Sequence, residues 1–166
     1  MTKERIVVLK VSLLAVGATL VVLACSGSAS GPNTDLVGTW QSQKESSPPG
    51  SYQTTIELRS DGRFTSVVQS FGLYPGQRAT DLSAYSRYTG RYDAVRDSLF
   101  FHAQQYAWWD RFYGADSPEH VLSVQSVSLP HPGTAYSLIG PRLILHYLSY
   151  PADAPVPTSQ EFYRIR

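Results

Sequence analysis

The sequence predicts an all-β protein, folded as a small antiparallel meander β-barrel of about eight or nine strands. Beyond residue 35, no stretch of ten or more residues places apolar side chains at helical spacing. The chain instead alternates apolar and polar residues in short runs rich in Val, Ile, Thr, Tyr and Phe, with turn residues between them. A two-sheet sandwich would give the same pattern, so periodicity leaves barrel and sandwich open.

The first hairpin shows the alternation most clearly. One strand face carries Tyr52, Thr54, Ile56 and Leu58, and the return strand covers residues 64–71. Asp61-Gly62 lies between the two runs and predicts a type I′ turn, which needs positive φ at both central positions. The other predicted strands are residues 37–42, 85–93, 98–105, 121–129, 134–139, 143–148 and 160–165.

Residues 1–24 have the layout of an export signal, with a charged start, an apolar stretch and small residues at the end. The segment Val22-Leu23-Ala24-Cys25 resembles the lipobox of bacterial lipoproteins. That resemblance implies cleavage before Cys25, acylation of this cysteine and a membrane partner held through the lipid anchor. Residues 25–34 then form a flexible tether to a domain at 35–166. The residue after the anchored cysteine is Ser26 and not aspartate, so the sequence resembles the lipoproteins that are sorted to the outer membrane, if the organism has two membranes.

An uncleaved transmembrane helix is the alternative for this segment. Counted from Ile6 it has about 19 residues interrupted by Lys10, at the lower edge of the roughly 20 that a spanning helix needs. The export signal explains the small polar residues that follow Cys25 as well, so the anchored form is the prediction.

The charge balance argues against a nucleic-acid partner. Of 14 basic and 13 acidic residues, three basic and one acidic lie in the first 24, which leaves 11 and 12 in the mature chain. The basic residues are scattered singly, without the cluster that a phosphate backbone attracts.

Four sequence segments resemble the lipocalin-like domains of bacterial lipoproteins. They are residues 36–40, residues 56–64, residues 90–93 with 98–101, and residues 136–145 leading to 162–164. Gly38-Thr39-Trp40 is similar to the G-x-W element of that family. The resemblance implies that Gly38, Trp40 and Arg164 are structural, with Trp40 closing the barrel floor and Arg164 over its ring.

The family resemblance also implies a small, largely apolar ligand inside the barrel. The residues expected to line its site are Tyr52, Ile56, Phe64, Tyr92, Phe101 and Leu145. The same side chains could instead form a solid core. The alternative function is therefore a structural or accessory lipoprotein of the cell envelope, with a filled barrel that acts through a protein partner.

Residues 105–114 are the most unusual predicted loop because they concentrate aromatic side chains. These are Tyr106, Trp108, Trp109, Phe112 and Tyr113. Exposed aromatic surface of this size is costly, so the rings are expected to fold over the core, to recognise a ligand or partner, or to contact the membrane interface.

No motif for catalysis, cofactor binding or metal binding stands out, so the prediction is a non-enzyme without cofactor or metal. The histidines are His102, His120, His131 and His146, and none of their spacings is typical of a zinc site. His102 and His146 lie in separate strands and could meet inside a barrel. Asp110, Asp116 and Glu119 are expected to be solvated loop carboxylates.

The anchor makes a direct prediction. Cys25→Ala removes the sulfur that carries the first acyl chains, so the variant should keep residues 1–24 and stay unacylated. Intact-mass spectrometry of the membrane-extracted protein measures both. An unmodified N-terminus in the wild type would contradict the lipoprotein assignment.

Overall fold

The computed structural model describes residues 33–123, 134–150 and 154–166. The predicted signal peptide, Cys25, His131 and most of the predicted strand at 121–129 lie outside these ranges. The described strands are β1 (Gly38–Ser42), β2 (Glu45–Ser47), β3 (Gly50–Leu58), β4 (Arg63–Phe71), β5 (Leu82–Val95), β6 (Ser98–Asp110), β7 (His120–Ser123), β8 (Thr134–Ile139), β9 (Arg142–Ser149) and β10 (Val156–Arg164). A 3-10 turn, Arg111–Tyr113, follows β6.

Eight of these strands close into an antiparallel barrel in the order β1-β10-β9-β8-β6-β5-β4-β3, and β3 pairs back onto β1. Strand β2 extends the pairing along β3, and β7 pairs with β6. The barrel prediction is confirmed, and the sandwich alternative is wrong because β1 is hydrogen-bonded on both sides. Closure satisfies backbone groups that an open sheet would leave at its edges.

The first hairpin has a different turn from the predicted type I′. Arg59 N donates to Arg63 O at 2.9 Å, so three residues rather than two form the loop. Gly62 N donates to Arg59 O at 3.1 Å, and Gly62 has a φ of 76°, whereas Asp61 is not in the positive-φ region. This is a type I turn followed by a left-handed glycine, the usual three-residue solution.

Strand β6 continues five residues beyond the predicted end at 105, through most of the aromatic segment that was expected to be a loop. A bulge makes this possible: Thr89 pairs with Gln105 and Gly90 with Ala103, which leaves Gln104 without a counterpart. A Cβ on Gly90 would lie 2.1 Å from His102 O, so only glycine allows this close approach. Beyond the bulge the other set of alternating residues faces inward.

One end of the barrel, here called the closed end, is filled by apolar side chains that are almost fully buried. They are Leu36, Trp40, Leu58, Phe64, Leu99, Leu143 and Phe162. Phe64 packs edge-on against Phe101, with ring centroids 5.0 Å apart. The buried area of these residues supplies the main stabilisation of the fold.

The predicted contact between Arg164 and Trp40 is confirmed. The Arg164 guanidinium lies 4.3 Å from the centroid of the Trp40 ring, and the two residues face each other across the β1–β10 pair. Trp40 Nε1 donates to Leu36 O at 2.8 Å, and Arg164 donates to Val37 O at 2.8 Å and to Asp35 O. The arginine therefore ties the last strand to the segment that enters the first.

Gly38 is required at this junction for two reasons. Its φ is 150°, and a Cβ there would lie 2.7 Å from Arg166 O and 3.0 Å from the Arg164 guanidinium. A larger residue would push the arginine off the tryptophan ring.

Within the described ranges, no helix is long and apolar enough to cross a membrane.

The Trp40–Arg164 pair makes a stability prediction. Trp40→Ala should lower the free energy of unfolding by about 3–5 kcal/mol, and Arg164→Met by roughly 1–3 kcal/mol, as measured by urea denaturation. Arg142→Met is the matched control, because the ion pair that the described residues give Arg142 is a surface one, with Glu161 at 3.4 Å, and its loss should cost less than about 1 kcal/mol. Equal losses for the two arginine variants would contradict the structural role of Arg164.

Candidate functional site

A cavity of about 270 Å³ lies above the closed-end core and is partly open to solvent. Its described lining comes from the barrel strands and consists of Thr54, Ile56, Ser66, Val68, Ser86, Tyr88, Phe101, Thr134, Leu145, Tyr147, Gln160 and Phe162. This volume is near the lower end of the volumes of small-molecule binding sites. The cavity has room for about nine water-sized groups.

Strand alternation explains how the cavity forms. On β3, Thr54 and Ile56 follow Leu58 at two-residue intervals toward the other end of the barrel, and all three are buried. On β4, Ser66 and Val68 follow Phe64 in the same way. Large apolar residues near the closed end thus give way to smaller ones farther along each strand, and the interior is left unfilled there.

The chemistry of the lining divides into a floor and a wall. Ile56, Phe101 and Phe162 provide an apolar floor that continues into the core. The wall presents the hydroxyls of serine, threonine and tyrosine and the amide of Gln160. None of the lining residues in the described part of the chain is charged.

The wall tyrosines are neutral at physiological pH. Burial raises the pKa of Tyr88, and the nearby hydroxyl of Tyr106 raises it further. Burial also raises the pKa of Tyr147, with a smaller contribution from the negative charge of Glu45. Both phenols therefore serve as hydrogen-bond donors or acceptors without adding charge to the cavity.

Of the six residues expected to line a ligand site, three line this cavity, namely Ile56, Phe101 and Leu145. Phe64 and Tyr92 are buried instead in the core, where the Tyr92 hydroxyl donates to Arg59 O at 3.0 Å. Their strand positions identify the inward face but not the depth along the barrel. Continuing the same two-residue steps along β4 and β5 would have pointed to Ser66, Val68, Ser86 and Tyr88, which the sequence analysis missed.

Tyr52, the sixth, lies at the rim rather than in the cavity. It is directly opposite Glu45 in the β2–β3 pair, and its hydroxyl donates to Glu45 Oε2. This hydrogen bond, followed by burial and the Glu45 charge, raises the pKa of Tyr52 to about 12. This pair was not predicted, because the alternation pattern did not reveal β2.

The aromatic segment is divided between the two faces of the barrel wall. Trp108 is directly opposite Ser86, and Tyr106 is opposite Tyr88, so both share the face that lines the cavity. Trp109 is on the outer face, stacked on Tyr85 with ring centroids 5.9 Å apart. Because the segment is a strand and not a loop, Tyr106 and Trp108 lie on the inner face and Trp109 lies on the outer face.

An aromatic group, here called the mouth cluster, stands beside the opening and comprises Tyr74, Trp108, Phe112, Tyr113 and His120. Trp108 stacks on His120 with ring centroids 4.2 Å apart. Phe112 and Tyr113, on the 3-10 turn, are 76% and 62% exposed. A recess of about 230 Å³ beside this cluster shares Val68 and Ser86 with the main cavity.

His102 and His146 do not converge. His102 and His146 are both exposed, so their proposed meeting inside the barrel is wrong. His102 Nε2 lies 3.1 Å from Asp93 Oδ2, while His146 Nδ1 lies 2.9 Å from the Ser159 hydroxyl. In the ranges that the structure describes, no group of three or more His, Cys, Asp or Glu side chains could hold a metal ion.

Two of the three carboxylates expected to be solvated have specific partners. Glu119 forms an ion pair with Arg87 at 2.7 Å and accepts a hydrogen bond from the Tyr85 hydroxyl at 2.9 Å. Asp110 accepts hydrogen bonds from the Tyr74 hydroxyl and from Phe112 N, which caps the 3-10 turn. Both hold the elements around the opening together.

No protein-family model, curated protein or solved structure matches this chain significantly. The lipocalin-like resemblance therefore stays a prediction that rests on the quoted segments.

The rim pair makes a testable prediction. Glu45→Gln removes the charged acceptor, so the pKa of Tyr52 should fall from about 12 toward the ordinary value of 10. A titration followed by carbon NMR of the tyrosine rings measures this. Because the pKa is raised in the folded state, the stabilisation is complete below pH 10 and is lost as the pH rises to about 12. Glu57→Gln, on the outer face of β3, should leave the titration unchanged.

Proposed function

We propose that this protein is a lipid-anchored extracytoplasmic lipoprotein whose barrel binds one small, largely apolar ligand. The observation that carries the binding proposal is the cavity of about 270 Å³ between an apolar floor and a hydroxyl-rich wall. Small-molecule sites typically combine mostly apolar surface with a few polar groups that orient the ligand.

The cavity favours binding over chemistry. Its described lining supplies hydroxyls and one amide but no carboxylate, imidazole or amine. Acid–base catalysis needs a group that exchanges protons near neutral pH, and the raised pKa values of Tyr88 and Tyr147 move these phenols away from that range.

The anchor part of the proposal rests on the lipobox-like segment at residues 22–25. Two or three acyl chains on Cys25 would hold the protein firmly in a membrane, with the barrel outside the cytoplasm. In an organism with two membranes, Ser26 favours the outer one.

The exposed mouth cluster favours a second candidate, an accessory lipoprotein of the envelope that acts through a protein partner. Phe112 and Tyr113 give this surface the aromatic character of interface cores. The unfilled cavity favours the ligand-binding lipoprotein, here called the carrier, over this alternative. A purely structural barrel would gain stability if its interior were packed.

Filling the cavity tests the carrier function. All strands of the closed barrel lie between residues 38 and 164, so residues 26–166 contain the whole barrel. This chain is expected to retain a stoichiometric small molecule in native mass spectrometry after incubation with a lipid extract of its own organism. Val68→Phe should reduce that occupancy at least about tenfold, because the ring takes the space of the ligand.

Val67→Phe is the matched control, since Val67 is the next residue on β4 and faces outward. It should keep wild-type occupancy, and circular dichroism should show both variants folded. A wild-type barrel that stays empty, or equal occupancy in the two variants, would favour the accessory function instead.

A further inference from the structure

The rim of the cavity carries a negative charge in a fixed place. Glu45 is directly opposite Tyr52, and Tyr52 shares the inward face of β3 with Thr54 and Ile56, both of which line the cavity. Residues directly opposite in an antiparallel pair project from the same face. The Glu45 side chain therefore lies on the inner side of the opening.

The Tyr52 hydroxyl orients this carboxylate by donating to Glu45 Oε2. The charge also reaches the cavity wall, because Glu45 contributes to the raised pKa of the lining residue Tyr147. A charged head group near Tyr147 would experience the same field.

The neighbouring cation does not offset this charge on the inner side. Lys44 Nζ lies 3.7 Å from the centroid of the Phe71 ring. Phe71 is opposite Ser51 in the β3–β4 pair, and Ser51 is one residue from the inward-facing Tyr52, so the lysine lies over the outer face. A second carboxylate, Asp110, follows Trp108 by two residues on the inward face of β6.

Aromatic rings add to the preference for positive charge. Tyr88 and Tyr147 line the cavity, and Trp108 flanks the adjoining recess. Ring faces attract ammonium groups and repel carboxylates. The described lining contains no arginine or lysine that could pair with an acid.

We propose that the cavity selects amphiphiles with a cationic head group, with the tail on the Ile56–Phe101–Phe162 floor and an ammonium at Glu45, and discriminates against carboxylates. This inference rests on the proposed binding function and specifies its ligand class. Neutral hydroxyl compounds of the same shape bind with intermediate affinity, because the wall hydroxyls satisfy them without a charge interaction.

The test compares three probes with the same tail of roughly eight carbons, matched to the cavity volume: octylamine, 1-octanol and octanoate. Isothermal titration calorimetry with residues 26–166 at neutral pH and low salt gives each Kd. Octylamine should bind about tenfold more tightly than octanol, and octanoate about tenfold more weakly than octanol.

Two variants at the rim locate the preference. Glu45→Gln should weaken octylamine about tenfold while changing octanol less than about twofold. Tyr52→Phe removes the hydroxyl but keeps the carboxylate, so the order of the three probes should persist. Glu57→Gln is the charge-matched control: its carboxylate lies 3.3 Å from Arg59 on the outer face of β3, and all three affinities should match the wild type.

The outcomes separate the two proposals. If octanoate binds the wild type as tightly as octylamine, or if Glu45→Gln leaves their ratio unchanged, the head-group inference is overturned and the binding cavity stands. If none of the three probes binds, the carrier function fails and the inference fails with it.

Discussion

The contact between Arg164 and Trp40 is the interaction on which the rest of the structure depends. It joins the last strand to the first at the point where β1 must pair with both β3 and β10. The arginine also binds the carbonyls of Asp35 and Val37, so the chain entering the barrel is fixed by the chain leaving it. Closure in turn satisfies the strand edges and shuts the end of the interior beneath the cavity.

The barrel interior is packed at the closed end and contains the cavity toward the other end. The large side chains are concentrated around Trp40, Phe64 and Phe162, whereas Ser66, Ser86 and other small residues face the interior farther along. The closed-end core stabilises the fold, and the smaller side chains farther along the strands leave the cavity unfilled. The bulge at Gly90 connects these two parts, because it turns Tyr106 and Trp108 toward the opening.

The cavity lining shows which features of the site strand alternation can predict. Alternation along β3 correctly placed Ile56 on the inward face, and the return strands placed Phe101 and Leu145 there as well. It also selected Phe64 and Tyr92, which face inward but pack at the closed end. A two-residue period specifies the face of a strand, whereas depth depends on strand register and barrel tilt, which arise only when all strands pair.

The sequence by itself determined the all-β class and most of the strands, because these follow from local alternation and turn residues, whereas the Trp40–Arg164 contact was expected only from the family resemblance. Only the tertiary structure decided on a barrel rather than a sandwich, extended β6 through the aromatic segment and brought Glu45 beside Tyr52 at the rim. The physical reason is that barrel closure, bulges and rim contacts form between segments that are far apart in the sequence. A local pattern does not specify which strand will pair with which.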